Sequence, residues 1–220
     1  MALAIFDLDN TLIAGDSDHR WGEFACTEGL VDATEHARGN DAFLQDYQDG
    51  CLDIDAYLQF ALSTIAGLNT TEVARLQERF LRDWVEPMML PAAEALLARH
   101  RERGDTLLII TATNTVVTRP IADRLGVPDL IGCDVECHND IYTGRPTGVP
   151  SFREGKIARL QDWLEHQPIS TRGAYFYSDS HNDLPLLDWV DNPVAVDPDP
   201  QLSQVAEDRG WPIISLRTPT

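Results

Sequence analysis

The apolar run ending at Ala4-Ile5-Phe6 gives way at once to Asp7-Leu8-Asp9-Asn10-Thr11. This junction restricts the possible folds more than any other stretch. Strand side chains alternate, so a regular strand would send Asp7 and Asp9 to one face. A core strand has no use for two carboxylates, because buried acids are costly unless paired, protonated or bound to a cation. The pair therefore belongs at the C-terminal rim of a sheet, facing a positive charge. An isolated Asp-x-Asp is ordinarily a polar turn; the elements that follow it here argue otherwise.

A second apolar run, Leu107 to Ile110, leads into Thr111-Ala112-Thr113-Asn114. Lys156 follows within Arg153-Glu154-Gly155-Lys156-Ile157, at the start of an amphipathic stretch, and Ala174 to Tyr177 leads into Ser178-Asp179-Ser180-His181-Asn182-Asp183. Paired carboxylates, hydroxyls, a cation and further acids each stand at or near the end of an element. Of the 17 Lys+Arg residues only Lys156 is lysine. A compact ammonium on a flexible stem reaches a phosphate oxygen and a carboxylate as a point charge, whereas a guanidinium demands fork geometry.

From Ser17 to about Pro87 no strand is evident. Apolar residues recur instead at helical spacing (Trp21, Phe24 and Ala25; Phe43 and Tyr47; Tyr57, Phe60 and Ala61; Val73, Leu76, Phe80 and Trp84), which predicts a small helical bundle. Asn69 with Glu72 fits a capping box, and Ala14-Gly15 and Glu86-Pro87 read as hinges. Beyond Pro91, helices (Ala92 to Arg103, Val116 to Leu125, Lys156 to His166, Leu184 to Trp189) alternate with strands (Thr106 to Ile110, Ala174 to Tyr177, Val194 to Val196, Ile213 to Leu216). Asp134 to Cys137 and Ile141 to Thr143 suggest a hairpin around His138 and Asp140. The expected fold class is α/β, with a Rossmann-like parallel sheet covered by helices on both faces and an inserted helical cap. The core would comprise residues 1–14 and 88–220, and the cap residues 15–87. Ligands bind beyond the carboxyl ends of such strands.

The four motifs resemble those of the haloacid dehalogenase superfamily, in its phosphoserine-phosphatase-like branch, whose helical insertion is a C1-type cap. The resemblance implies a phosphomonoester hydrolase. Asp7 would be the nucleophile, Asp9 the general acid and base, and Thr111 and Lys156 the holders of the phosphoryl oxygens. Mg²⁺ would be bound by Asp7 and Asp179, with the Asp9 backbone carbonyl as a further ligand and Asp183 acting through water. Asp9 favours an alkoxide over a halide leaving group. Receiver domains, which also phosphorylate an aspartate, are a signalling alternative, but they are shorter and have no helical insertion.

Phe6 to Trp21, Thr111 to Asn114, Phe176 to Leu187 and Val196 to Pro200 look like segments of bacterial members that serve as histidinol-phosphate phosphatases. That likeness selects a phosphorylated amino alcohol, L-histidinol phosphate, over phosphoserine or transfer to an alcohol such as homoserine. Asp16 stands where phosphoserine phosphatases use a glutamate for the substrate amine, and Asp18 and Glu23 add acidity. The expected substrate-binding residues are Asp16, Ser17, Arg20, Trp21, Ala112, Asn114 and Asn182, with Arg20 able to pair with a substrate carboxylate. His181 reads as a loop or pocket residue.

A formal charge of -19 and a pI near 4.4 oppose binding to nucleic acid and to anionic membranes. No apolar run approaches the roughly 20 residues that span a bilayer, and Met1 to Phe6 lacks a signal peptide's basic start. A cytoplasmic protein with reduced cysteines is expected. A zinc site at Cys133, Cys137 and His138 has unusual spacing and no second pair. Oligomeric state is not legible.

Overall fold

A computed structural model describes residues 2–217. Strand β1 (Leu3–Phe6) lies at the centre of a seven-stranded sheet with β2 (Thr106–Asn114), β3 (Asp129–His138), β4 (Ile141–Thr147), β5 (Tyr175–Ser178), β6 (Asn192–Val196) and β7 (Ile213–Ile214). The order is β4-β3-β2-β1-β5-β6-β7, and every neighbouring pair is parallel except β3 with β4. From β1 the chain reaches β2 on one side and β5 on the other. The crevice beyond their carboxyl ends is the switch point where α/β sheets bind ligands.

The apolar run at β1 is buried on both sides, as a central parallel strand must be. Ala4 and Phe6 pack with Leu107 and Ile109 against α5 (Pro91–Glu102) and α6 (Thr115–Arg124). Leu3 and Ile5 pack with Leu108 and Ile110 against α7 (Glu154–Glu165), α8 (Leu184–Trp189) and α9 (Pro200–Arg209). One-residue alternation thus builds two cores, one on each sheet face.

Four helices, α1 (Ser17–Thr27), α2 (Ala33–Gln48), α3 (Ile54–Leu62) and α4 (Thr70–Phe80), stand between β1 and α5. Each starts at a side-chain cap, Asp16, Asp32, Asp53 or Asn69, and the expected Asn69–Glu72 capping box is present. Trp21, Phe24 and Phe80 form their centre, with ring centroids 5.1 to 5.4 Å apart. The buried indole N–H of Trp21 donates to Thr64 Oγ1 at 3.0 Å. Gly22 lets α2 come close, since a Cβ there would lie 2.6 Å from the Asn40 amide. The outgoing and returning segments meet where Ala14 N donates to Met88 O at 2.8 Å. The helical insertion is also tied to the β3–β4 hairpin: Tyr142 N donates to Leu68 O, Gly67 N to Tyr142 O and Thr70 N to Asp140 O.

Several elements depart from the sequence expectation. β2 continues past Ile110 to Asn114, with its register against β3 shifting over that stretch. β3 begins at Asp129 rather than Asp134, because its first half completes the parallel sheet and its second half the hairpin. Helix α9 was not anticipated, although Asp199 caps it and Pro200 opens it, which is a recognised helix start. Cys133 is buried with its thiol directed to Ala112 O, while Cys137 is exposed. Among the described residues, no three His, Cys, Asp or Glu side chains gather at metal-ligand spacing.

Replacing Trp21 with alanine removes the centre of the helical insertion. The expected loss is about 3–5 kcal/mol of unfolding free energy, read from urea denaturation.

Candidate active site

Lys156 lies in the first turn of α7 and is 2% exposed. Its ammonium donates to Asp7 Oδ1 at 2.9 Å and lies 2.6 Å from Asp183 Oδ1, so it joins the first motif to the last. The backbone before it is shaped to allow this. Gly155 sits so close to Pro150 that an added Cβ would fall 2.1 Å from its carbonyl oxygen, and Arg153 adopts a left-handed φ of 48°. Burial by itself would lower the Lys156 pKa, but Asp183 and Asp7 overcome it and raise the value. The lysine is therefore charged.

Asp7 follows β1 directly, and its N–H donates to Tyr177 O. Burial pushes its carboxyl up to about 7, against the pull of Lys156 and with help from the charges of Asp183 and Asp9. Leu8 to Ile13 turn tightly with Asn10 left-handed, so the strand alternation expected for Asp9 does not apply. Instead Asp9 is held by two donors: Ser17 N at 2.6 Å to Oδ1 and Thr113 Oγ1 at 2.8 Å to Oδ2. Burial, then the charge of Asp16, raise its pKa to about 7. Thr11 and Asp179 exchange hydrogen bonds, Oγ1 to Oδ1 and N to Oγ1, both 3.1 Å. Asp179 is raised well above the carboxylate range by burial and by Asp7 and Asp183.

Three carboxylates, Asp7, Asp179 and Asp183, thus face one ammonium in a buried site. An oxygen-preferring divalent cation fits that imbalance and that donor chemistry, with Asp7 and Asp179 as its holders. Only Asp7 and Asp179 are expected to ligate through their carboxylates, with Asp9 through its carbonyl and Asp183 through water; accordingly no three His, Cys, Asp or Glu side chains among the described residues meet at ligand spacing. Lys156 bonds both Asp7 and Asp183, Ser178 also donates to Asp183 at 2.7 Å, and the Asp9 carboxylate is taken by Ser17 and Thr113.

A cavity opens between these groups and the helical insertion. Asp7, Asp9, Asn10, Thr111, Ala112, Thr113 and Asp179 form its floor; α1 and the α2–α3 region supply Asp16, Asp18, His19, Asn40, Phe43, Tyr47 and Tyr57. Asp16 accepts the N–H groups of Asp18 and His19 at 3.0 and 2.8 Å.

The other expected substrate contacts lie elsewhere. Arg20 is half-exposed and pairs with Glu23 at 2.7 Å, turned to solvent by its place on α1, so neither it nor Glu23 reaches the cavity. Trp21 is spent in the core of the insertion. Ser17 acts through its backbone N–H on Asp9. Asn114 caps α6 through Val117 N and reaches Asp18 through Nδ2. Asn182 donates to Tyr47 O and accepts from Arg153, linking core to insertion rather than lining the cavity. His181 is held by Asp199 at 2.7 Å and borders an adjoining groove. The sequence reading missed Thr113 as the second holder of Asp9; its spacing of two from Thr111 was the available signal. Phe43, Tyr47 and Tyr57 were read only as a core stripe, which cavity-facing aromatics mimic.

The uncompensated acids carry a stability consequence. A carboxyl raised from 3.8 to about 7, as Asp7 is, binds its proton more tightly folded than unfolded. Its stabilising share is full at acid pH and is lost as pH rises toward 7. Mg²⁺ should therefore raise the melting temperature of the metal-stripped protein more at pH 8 than at pH 5, measured by thermal denaturation; equal shifts would contradict a cation among these acids.

The haloacid dehalogenase-like hydrolase family model matches residues 4–188. A histidinol-phosphatase of Neisseria meningitidis serogroup C (strain 8013) is 44% identical over 98% of this chain and 99% of its own. A crystal structure of a protein of unknown function from Bordetella pertussis Tohama I superposes with a TM-score of 0.91 at 41% identity, covering 98% of both chains. A substrate-bound phosphoserine phosphatase complex shares the fold at a TM-score of 0.72 and 15% identity, over 98% of this chain and 93% of that one. The family match takes in Asp7, Asp9, Thr111, Lys156, Asp179 and Asp183, and the chain belongs to the haloacid dehalogenase-like hydrolases.

Proposed function

We propose that the protein is a Mg²⁺-dependent phosphomonoesterase acting on L-histidinol phosphate. The full-length similarity to a histidinol-phosphatase supports this substrate. The observation that carries it is the make-up of the cavity: Asp9, Asp16 and Asp18 line it, and among the described residues no lysine or arginine does. A substrate carboxylate, as in phosphoserine, would meet acids and no cation, since Arg20 is turned away toward Glu23.

Residues 15–87 act as the cap that closes the cavity from water. Asp7 and Asp179 would hold the divalent ion, which would supply charge neutralisation to a dianionic phosphate. Asp7 attacks phosphorus as the P–O bond to the alcohol breaks, leaving a phosphoryl group esterified to Asp7. Asp9 gives its proton to the departing alkoxide. Burial raises this carboxyl to about 7, so it can carry a proton near neutral pH, which suits this task. Asp9 then takes a proton from water as the water oxygen attacks phosphorus, which frees Asp7 and inorganic phosphate. Thr111 at the cavity floor steadies the phosphoryl oxygens, Lys156 holds Asp7 from behind, and Thr113 with Ser17 N aims Asp9.

Replacing Asp7 with asparagine should abolish turnover while leaving the melting temperature within a few degrees. For the wild type, kcat/KM should favour L-histidinol phosphate over phosphoserine by about 100-fold or more, the scale on which unpaired buried charges penalise a wrong substrate. Equal or reversed preference would refute the substrate.

A further inference from the structure

Helix α2 runs for 16 residues and buries only His36 and Asn40. Its apolar residues Phe43, Leu44 and Tyr47 are half-buried and line the cavity instead, together with Ile54 and Tyr57 of α3. None of them belongs to either sheet core or to the Trp21–Phe24–Phe80 centre of the insertion. Apolar side chains that line a concavity beside reacting groups, and serve no core, mark a ligand surface.

The rings form an ordered array. His36 stacks on Phe60 with centroids 4.2 Å apart, Phe60 meets Phe43 at 5.1 Å, and Phe43 meets Tyr57 at 5.3 Å and 60°. The array therefore runs from buried His36 to a cavity-facing end at Phe43 and Tyr57. Tyr47, one turn along α2 from Phe43, pairs with Phe152 at 6.2 Å. The Tyr57 hydroxyl is bonded to Asp18 and that of Tyr47 to Ser180, so both rings are pinned before anything arrives. Aromatic rings prefer edge or offset contact at about 4.5–7 Å and gain from it beyond the area they bury. A planar ring entering the cavity extends the array by one member, whereas a saturated group of the same size only covers apolar surface.

We propose that Phe43 and Tyr57 are specificity-determining residues that receive a planar aromatic ring at the end of the substrate remote from the phosphate. This deepens the phosphatase reading above and rests on it. The substrate class narrows to alkyl phosphates that carry an aromatic ring, carbocyclic or azole.

The test measures kcat/KM with Mg²⁺ on 2-phenylethyl phosphate, 2-cyclohexylethyl phosphate, propyl phosphate and L-histidinol phosphate, for wild type, Phe43→Leu, Tyr57→Leu and Tyr57→Phe. The first two esters share a carbon skeleton and a charge, so their ratio reads the π-system alone. Wild type should favour the phenyl ester about 10-fold. Each leucine variant should cut that ratio about 5-fold, on the scale of one aromatic pair, while Tyr57→Phe, which keeps the ring, should retain it. Leucine is a good helix former, and melting temperatures accompany every variant.

A wild type without preference between the phenyl and cyclohexyl esters would overturn the assignment. So would a ratio unchanged in both leucine variants, or a uniform fall on all esters including ring-free propyl phosphate. If wild type ignores L-histidinol phosphate yet favours the phenyl ester through Phe43 and Tyr57, the histidinol reading fails and the aromatic subsite stands. If L-histidinol phosphate is preferred and neither leucine variant moves the phenyl-over-cyclohexyl ratio, the subsite fails alone.

Discussion

A single buried ammonium holds the site together. Lys156 bonds Asp7 from the end of β1 and Asp183 from the turn after β5, elements 149 and 27 residues away in sequence. Without its charge, Asp7, Asp179 and Asp183 would repel one another in a setting where burial already disfavours the ionisation of Asp7 and Asp179. The rest of the local architecture serves that placement. Gly155 allows the chain to pass Pro150, α7 presents the lysine in its first turn, and β1 and β5 set the acids side by side in parallel register. The single lysine in an otherwise arginine-only set of basic residues then has a physical meaning. A guanidinium is too wide and too rigid in its geometry for a gap in which both acids approach one nitrogen within 3 Å.

The second constraint is the attachment of the helical insertion. It is fastened at several points: the Ala14–Met88 pairing, the backbone bonds between 67–70 and the β3–β4 hairpin, and a bridge centred on Arg153. The Arg153 guanidinium bonds both Gly50 O in the insertion and Asn182 Oδ1 in the turn that carries Asp183, while Asn182 Nδ2 bonds Tyr47 O. Its left-handed backbone is thus offset by ties to both halves of the molecule. The cavity is a product of this docking, since the reacting groups come from the sheet and the aromatic and acidic wall from α1 to α3.

Much of the site was readable because phosphoryl chemistry needs particular side chains at strand ends, and strand ends are marked by apolar runs stopping at polar residues. Asp7, Thr111, Lys156 and Asp179 each follow such a stop or open a helix after one. The residues that were misplaced share another property: all sit on or next to helices whose rotation the sequence leaves open. Trp21 and Arg20 are adjacent in α1, yet one is buried in the insertion's core and the other faces solvent with Glu23. Asn114 and Asn182 look like pocket amides in the sequence, but they are used by a helix N-terminus and by an inter-element link. Helix α9 was overlooked because its apolar residues are few, although its Asp-Pro start was present.

Sequence alone determined the α/β class, the helical insertion and the identity of the groups that meet beyond β1, because hydrophobic period and strand-end chemistry are local properties. Only the tertiary structure decided which partner each acid has. Asp9 is held by Thr113 across 104 residues, Asp183 by Lys156 across 27, and Asp18 by Asn114 across 96. Hydrogen-bond satisfaction depends on contacts between distant segments, and no spacing along the chain encodes which donor arrives and which does not.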